Sequence, residues 1–289
     1  MEYIERPPHP ELAAVVRTYW WLRGDAEAEA SRDAAPADPA LPDGSPELIV
    51  NLAEPWEQVA ADGARTLQPP AFLVGQIRGP MHVRPTGRVA LVAVRFEAHG
   101  AAPLVDAIGA LTDRWTSLEA LRSPSLRALP SALAGAADVP AQARLLDDAL
   151  RAVFAGGTPV DILVDDAMRA IRTSHGAVEI DALARELGVT ARTLQRRFAA
   201  SAGLSPKSLA RIVRFQRVFA AWRDDPQSLS RAALESGYFD QSHLVRDFRD
   251  FAGAPPAGFL AVLPAFMGFF MAAWDGVRDT ARDAAWDGV

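Results

Sequence analysis

The feature that most limits how this chain can fold is an internal repetition. Leu194, Arg196, Phe198, Gly203 and Pro206 are matched fifty residues later by Leu244, Arg246, Phe248, Gly253 and Pro256. A leucine and a phenylalanine four apart mark the buried side of a helix, and the glycine and proline that follow suit its end and the start of the next. Two copies in register predict two equivalent helical units.

Each copy has a helix in front of it. In "VEIDALARELGVTARTLQRRF", Ile180, Leu183, Ala184 and Leu187 form one apolar stripe. Gly188 then fits a left-handed C-cap, and Thr190 can cap a second helix whose buried side is Leu194 and Phe198. The second copy has Leu229, Ala232, Ala233 and Leu234 before Gly237, with Asp240 as its cap and one extra residue in the turn. Between them, "SPKSLARIVRFQRVFAAWRDDP" places Leu209, Ile212, Val213, Phe219 and Trp222 at helical spacing. A helix of about 18 residues spans roughly 27 Å. Such a rod can hold two short helices at something near the roughly 34 Å repeat of B-DNA, each in a major groove on one face.

The outward positions support that reading. Arg192, Gln195 and Arg196 on the first such helix, and Gln241, Ser242 and Arg246 on the second, point away from the Leu/Phe side. Arginine and glutamine are side chains able to pair bidentately with guanine and adenine edges. A polar outer face is also what any helical hairpin carries.

Residues Val160 to about Leu260 resemble the DNA-binding domain of the AraC/XylS family of bacterial transcription regulators. The motifs "IDALARELGVTARTLQRRFAASAGLSP" and "ALESGYFDQSHLVRDFRDFAGAPPAGFL" carry the resemblance, the second being the more distinctive. It implies two helix-turn-helix units joined by a long helix, with the second helix of each unit in the major groove. The base-reading residues it implies are Arg192, Gln195 and Arg196, then Gln241, Ser242 and Arg246. The sequence departs from the family pattern at His243, which fits a phosphate or base contact as well as a helix edge without specific contact. It departs again at Asp247, expected to face the protein with Arg249 or Arg231 as its neutralising partner. The segments "LPDGSPELIVNL", "FLVGQIRGPMHVRPTG" and "VAVRFEAHGAAPLV" resemble, more weakly, a sensor domain of some members. That implies a ligand-sensing or dimerisation role and names no ligand.

Charge must be reconciled with a nucleic-acid partner, because the chain carries a formal −6. Its distribution is uneven. From Arg185 to Arg217 there are eight basic residues against Glu186 alone. Arg197, Lys207, Arg211 and Arg214 in that stretch are candidates for phosphate contacts, which fix register without reading sequence; a solvated helix face is the alternative for each. The second unit, Ser228 to Phe251, holds three arginines against Glu235, Asp240, Asp247 and Asp250. It is therefore expected to bind more weakly, engaging when a dimer, a ligand or RNA polymerase supports it.

The first hundred residues read differently. "TYWWL", "ELIVNL", "FLVGQ" and "VALVAVRF", at 18–22, 47–52, 72–76 and 89–96, are β-branched or aromatic runs between proline and glycine punctuation. They predict a β-rich, small barrel-like domain over 1–100, with a long surface loop at 24–46. Trp20, Trp21, Asp43, Glu47 and Arg95 are candidates for a pocket as well as for core or rim packing. Adjacent tryptophans in a strand face opposite ways, so at most one of them can line it. Leu104, Val105, Ile108 and Leu111, and later Leu145, Leu146, Leu150 and Val153, have helical spacing. They predict a helical connector over 101–157 that could serve dimerisation, ending near the "AGGTPVD" boundary. The expected fold class is thus α+β, with an all-α DNA-binding domain over 158–262 and a tail, 263–289, that repeats "AAWDGV" without an assignable role.

Several classes are set aside by composition. There is no cysteine, hence no disulfide, thiolate metal site or cysteine nucleophile. His9, His82, His99, His175 and His243 are too scattered to suggest metal ligands, and no phosphate-binding glycine loop or nucleophile elbow occurs. No catalytic residue, metal or cofactor is therefore expected. The charge-free run from Ala252 to Trp274 is interrupted by three prolines, against a membrane helix, and "MEYIERPPHPELAAVV" lacks a secretory signal's pattern. The expectation is a cytoplasmic, sequence-specific transcription regulator binding double-stranded DNA, with a small-molecule effector, RNA polymerase and a homodimer partner as candidate companions. Architectural DNA binding, or an enzyme domain fused to a DNA-binding module, are the alternatives.

Overall fold

Alternation in "TYWWL" sets the architecture of the N-terminal half. Tyr19 and Trp21 face one way and Trp20 and Leu22 the other, all four buried, so this strand must be covered on both sides. The computed structural model of the chain describes residues 1–24, 37–156, 161–224 and 229–261.

Ten strands are found among these residues: β1 (Glu2–Arg6), β2 (Val16–Gly24), β3 (Asp38–Ala40), β4 (Glu47–Asn51), β5 (Trp56–Val59), β6 (Arg65–Leu67), β7 (Ala71–Val74), β8 (Met81–Pro85), β9 (Val89–Phe96) and β10 (Trp115–Ser117). They form two antiparallel sheets, a larger one ordered β1-β2-β9-β4-β7-β10 and a smaller one ordered β3-β8-β5-β6. The small barrel expected from sequence is not formed. The larger sheet ends at β1 and β10, which do not pair with each other, so its edges stay open.

The central strands β2, β9 and β4 are in register, with Trp20 opposite Ala93 and Trp21 opposite Val92. Glu47 lies opposite Arg95. On one face Trp20, Leu22, Leu91 and Ala93 pack against Trp56 and Val83 of the smaller sheet. On the other, Tyr19, Trp21, Val92 and Val94 pack with Leu146 and Leu150.

Those leucines belong to the second of two helices, α1 (Leu129–Ala134) and α2 (Val139–Phe154). Buried Gln142 on α2 accepts from the Trp21 indole at 2.7 Å and donates to Leu133 O at 2.9 Å. Asp147 accepts from the Tyr19 hydroxyl at 2.8 Å. The expected connector is therefore packed on the sheet, and its last helix completes the N-terminal core. The helix expected around Leu104 to Leu111 is instead two 3₁₀ turns, Ala102–Leu104 and Ile108–Leu111. Extended backbone at Val105 and Ala107 breaks the helical run, while Leu104 and Ile108 still reach the core.

The C-terminal half is helical: α3 (Ile162–Thr173), α4 (Ile180–Glu186), α5 (Ala191–Ala202), α6 (Pro206–Asp224), α7 (Leu229–Glu235), α8 (Gln241–Ala252) and α9 (Pro256–Ala261). It has two cores. Val164, Met168, Leu183, Leu194 and Phe198 form one with Leu209 of α6. Phe215, Phe219, Tyr238, Leu244, Phe248 and Phe259 form the other. The 19-residue α6 serves both, so the two units share one rigid rod. Phe215 anchors the second, its ring 5.0 Å from both Phe219 and Phe248. The "AGGTPVD" boundary lies partly outside the described residues, as do the "AAWDGV" repeat and all the tail.

Candidate nucleic-acid interface

The repetition seen in sequence is a repetition of structure. Helix α5 spans 191–202 and α8 spans 241–252, an offset of fifty at both ends. Thr190 caps α5 by accepting from Thr193 N at 3.2 Å, and Asp240 caps α8 by accepting from His243 N at 2.7 Å. Side-chain capping satisfies amide groups that a helix start leaves without partners. At the other ends, Gly203 and Gly253 both take φ +72°, the left-handed conformation that stops a helix.

Leu194 and Phe198 of α5, and Leu244 and Phe248 of α8, point into their respective cores. That fixes which side of each helix faces out. Arg192, Gln195 and Arg196 are exposed, and so are Gln241, Ser242 and Arg246. All six base-reading candidates are thus presented to solvent at the N-terminal and middle turns of their helices. His243 is half-buried, its ring 5.1 Å from that of Tyr238. Phe239, just before the α8 cap, is 94% exposed.

The four phosphate candidates are placed differently. Lys207 is exposed at the start of α6. Arg197 donates to Asp161 at 2.7 Å through Nε. Arg211 donates to Asp247 through Nε at 3.0 Å and Nη2 at 2.7 Å, and its Nη2 also meets Asp250 at 2.5 Å. The guanidinium of Arg214 lies 5.8 Å from the Tyr238 ring centre. Three of the four therefore have partners inside the protein.

Asp247 faces the interior, as its place on the helix suggests, but its neutralising partner is Arg211 on α6. Arg231 instead pairs with Glu235 at 2.7 Å. The side chain of Asp247 is fully buried and also accepts from the Tyr238 hydroxyl at 3.1 Å; burial first, then that carboxylate, push the Tyr238 phenol up. In each unit an Arg–Asp pair at the same separation of 36 residues links the second helix to an earlier segment, with the charges reversed. The acidity of the second unit is consequently directed inward at Asp247, with Asp250 sharing the same arginine.

The N-terminal half touches the end of each outward helix. Thr112 Oγ1 donates to Gly203 O, at the end of α5, at 2.9 Å. A Cβ at Gly253, at the end of α8, would sit 3.4 Å from Pro80. Between them the loop 41–46 lies on α6. Leu41 joins the second core, Gln216 Nε2 donates to Pro42 O, and Leu209 packs against Gly44. Sequence reasoning missed these contacts, since no local pattern encodes them.

Glu97 secures α3 to the sheet domain, pairing with Arg172 and with Arg17 at 3.8 Å. Burial alone would raise its pKa, but Arg172 and then Arg17 outweigh burial and hold it below the ordinary 4.5. A depressed carboxylate contributes stability that is complete above 4.5 and is lost as pH falls through the lower folded value. Glu97→Gln is expected to cost about 1–3 kcal/mol and to flatten the acid limb of stability measured by urea unfolding at stepped pH. An unchanged acid limb would contradict this role.

Comparison with known proteins adds the following. Residues 183–261 match a family described as a helix-turn-helix domain, and residues 4–116 match a domain of unknown function, DUF6597. A search of curated proteins found none that matches this chain. Among solved structures, ToxT from Vibrio cholerae is similar at 9% identity and a TM-score of 0.45, over 92% of this chain and 100% of that one. ToxT of strain SCE256 bound to an unsaturated fatty acid is similar at 10% identity and 0.43, over 89% and 94%. The AraC-like transcriptional activator CuxR follows at 17% identity and 0.24, over 72% and 74%.

Proposed function

We propose that this chain, whose C-terminal part is an AraC-type helix-turn-helix domain and whose N-terminal part is a DUF6597 domain, is a sequence-specific transcription regulator that reads two successive major-groove segments. The observation that carries the reading is the presentation of Arg192, Gln195 and Arg196, and of Gln241, Ser242 and Arg246, on equivalent helices flanking one rod. Six exposed side chains of base-reading type, twice in register, are what recognition of two half-sites by one chain requires.

Lys207 supplies a phosphate contact under this reading. Arg197 and Arg211 reach phosphates only with the nitrogens that their carboxylate partners leave over. The expected result is that log K for an operator falls linearly with log salt, at about 0.9 per phosphate contact. Lys207→Ala should reduce that slope by about one without changing which sequences are preferred. Equal affinity for random and selected DNA would instead indicate architectural binding.

The N-terminal domain modulates DNA engagement in response to a small molecule or a partner. What supports this is its contact with the ends of both reading helices and with α6 between them. An effector that moves the loop 41–46 changes what α6 rests on, and with it the relation of the two units. A second copy, docking through the 101–157 segment, and RNA polymerase are further partners in the same reading, at work in the cytoplasm and without catalysis by the chain. Sedimentation with and without operator tests the second copy.

A further inference from the structure

Between the two sheets lies a cavity of about 100 Å³, about two thirds of the roughly 150 Å³ of an engineered cavity that binds benzene. Its walls are apolar, formed by Ile49, Trp56, Phe72, Met81, Val83 and Leu91 among others. The polar end is different in kind. Asp43, Ser45 and Glu47 line it, Trp20 stands beside them, and no lysine, arginine or histidine lines the cavity among the described residues.

Behind that end the charges do not balance. Arg95, buried, meets Glu47 at 2.7 Å, Asp43 at 3.2 Å and Glu5 at 3.5 Å. Three carboxylates thus surround one guanidinium. Burial, first of all, raises the pKa of both Glu47 and Glu5 in spite of Arg95, and Asp43 raises that of Glu47 further, while Arg17 joins Arg95 in lowering that of Glu5. Glu47 also accepts from the Trp20 indole at 2.9 Å. Ser45 is 6% exposed, and its Oγ has no hydrogen-bond partner among the described residues. A buried hydroxyl without a partner is costly and suits a site completed by a guest.

We infer that this cavity binds a small aromatic amine, its ring among the apolar walls and its ammonium group donating to Glu47, Asp43 and Ser45. A cation relieves the carboxylate excess. A carboxylic acid of the same shape meets two carboxylates in the cavity wall, with the Arg95 guanidinium behind them and outside the lining. The ligand class follows from the cavity alone; that its occupancy regulates DNA binding rests on the function proposed above. The route is short, since Asp43 and Ser45, held together by a 2.9 Å bond from Ser45 N to Asp43 Oδ1, sit in the loop that touches Gln216 and Leu209.

Calorimetric titration of the full chain with 2-phenylethylamine, 2-phenylethanol and 3-phenylpropionate tests the inference. The amine should bind at least ten-fold tighter than the acid, with the alcohol between them. Glu47→Gln, which retains an acceptor for Trp20, should weaken the amine about ten-fold and bring the acid closer to it. Met81→Trp fills the apolar end without touching the charges and should abolish binding of all three, with far-UV circular dichroism confirming the fold. Acid binding equal to or better than the amine, or amine binding untouched by both variants, overturns the proposal. Operator affinity is measured separately with and without amine. Amine binding that leaves operator affinity unchanged confirms the cavity's ligand class and removes the regulatory reading.

Discussion

Asp247→Ala is expected to destabilise the second unit by about 1–3 kcal/mol, the cost of leaving buried hydrogen-bond partners without their acceptor. The carboxylate is fully buried and takes two bonds from Arg211 and one from Tyr238. Alanine would leave the buried Tyr238 phenol without its acceptor and Arg211, 28% exposed, with Asp250 as its remaining carboxylate. Against a total stability of about 5–15 kcal/mol, such a loss is a measurable fraction. Asp250→Ala is the control, since that side chain is 49% exposed while meeting the same arginine. An exposed pair contributes about 0–1 kcal/mol. Urea unfolding monitored by circular dichroism separates the two, and a similar small effect from both variants would contradict a structural role for the buried pair. The DNA consequence is also specific: Asp247→Ala should weaken contacts at one half-site while the first unit keeps its own.

Arg196→Ala and Arg246→Ala should each lower operator affinity by about 1–3 kcal/mol, as expected for a base-reading arginine. The residues occupy equivalent places, fifty apart, on helices with separate cores. Their effects should therefore add, giving about 2–6 kcal/mol in the double variant. Each single variant should relax preference at its own base pair and leave the other half-site's pattern intact. A uniform loss across all sequences would make that arginine a phosphate contact. Neither side chain reaches a core, so melting temperatures should stay near that of the parent.

The helical half of this fold was legible in sequence because its signals are local. Thr190, Gly188, Asp240 and Gly203 each do what their chemistry prescribes within a turn of their own position, and the offset of fifty makes every inference twice. Long apolar strands such as β2 and β9 were legible for the same reason. Of the short strands, β4 and β7 carry apolar runs and were legible too, while others were not. β5, β6, β8 and β10 have three to five residues each, and they exist because a neighbour pairs with them, with little preference of their own. Proline-rich "DPA" at 38–40 reads as loop and becomes an edge strand against β8, where its missing N–H is tolerated. The open sheets in place of a barrel, and α2 as part of the N-terminal core, depend equally on long-range packing.

The site was legible to a similar degree. Outward positions on α5 and α8 follow from helical period alone. Which cations remain available to DNA does not, because Arg197 and Arg211 find carboxylates 36 residues away. Local charge counting therefore overstated the basic surface of the first unit and the acidic surface of the second. Trp20 and Trp21 illustrate both sides: alternation shows that they diverge, but only the sheet packing reveals that Trp20 meets the cavity and Trp21 meets Gln142.

Methylation-protection footprinting on an operator selected from random DNA tests the central claim most directly. Two protected guanine clusters in successive major-groove segments, about 10–10.5 base pairs apart on one face, are predicted, one lost in Arg196→Ala and the other in Arg246→Ala. A single protected segment, or protection that no sequence enriches, would contradict the reading of two grooves by one chain.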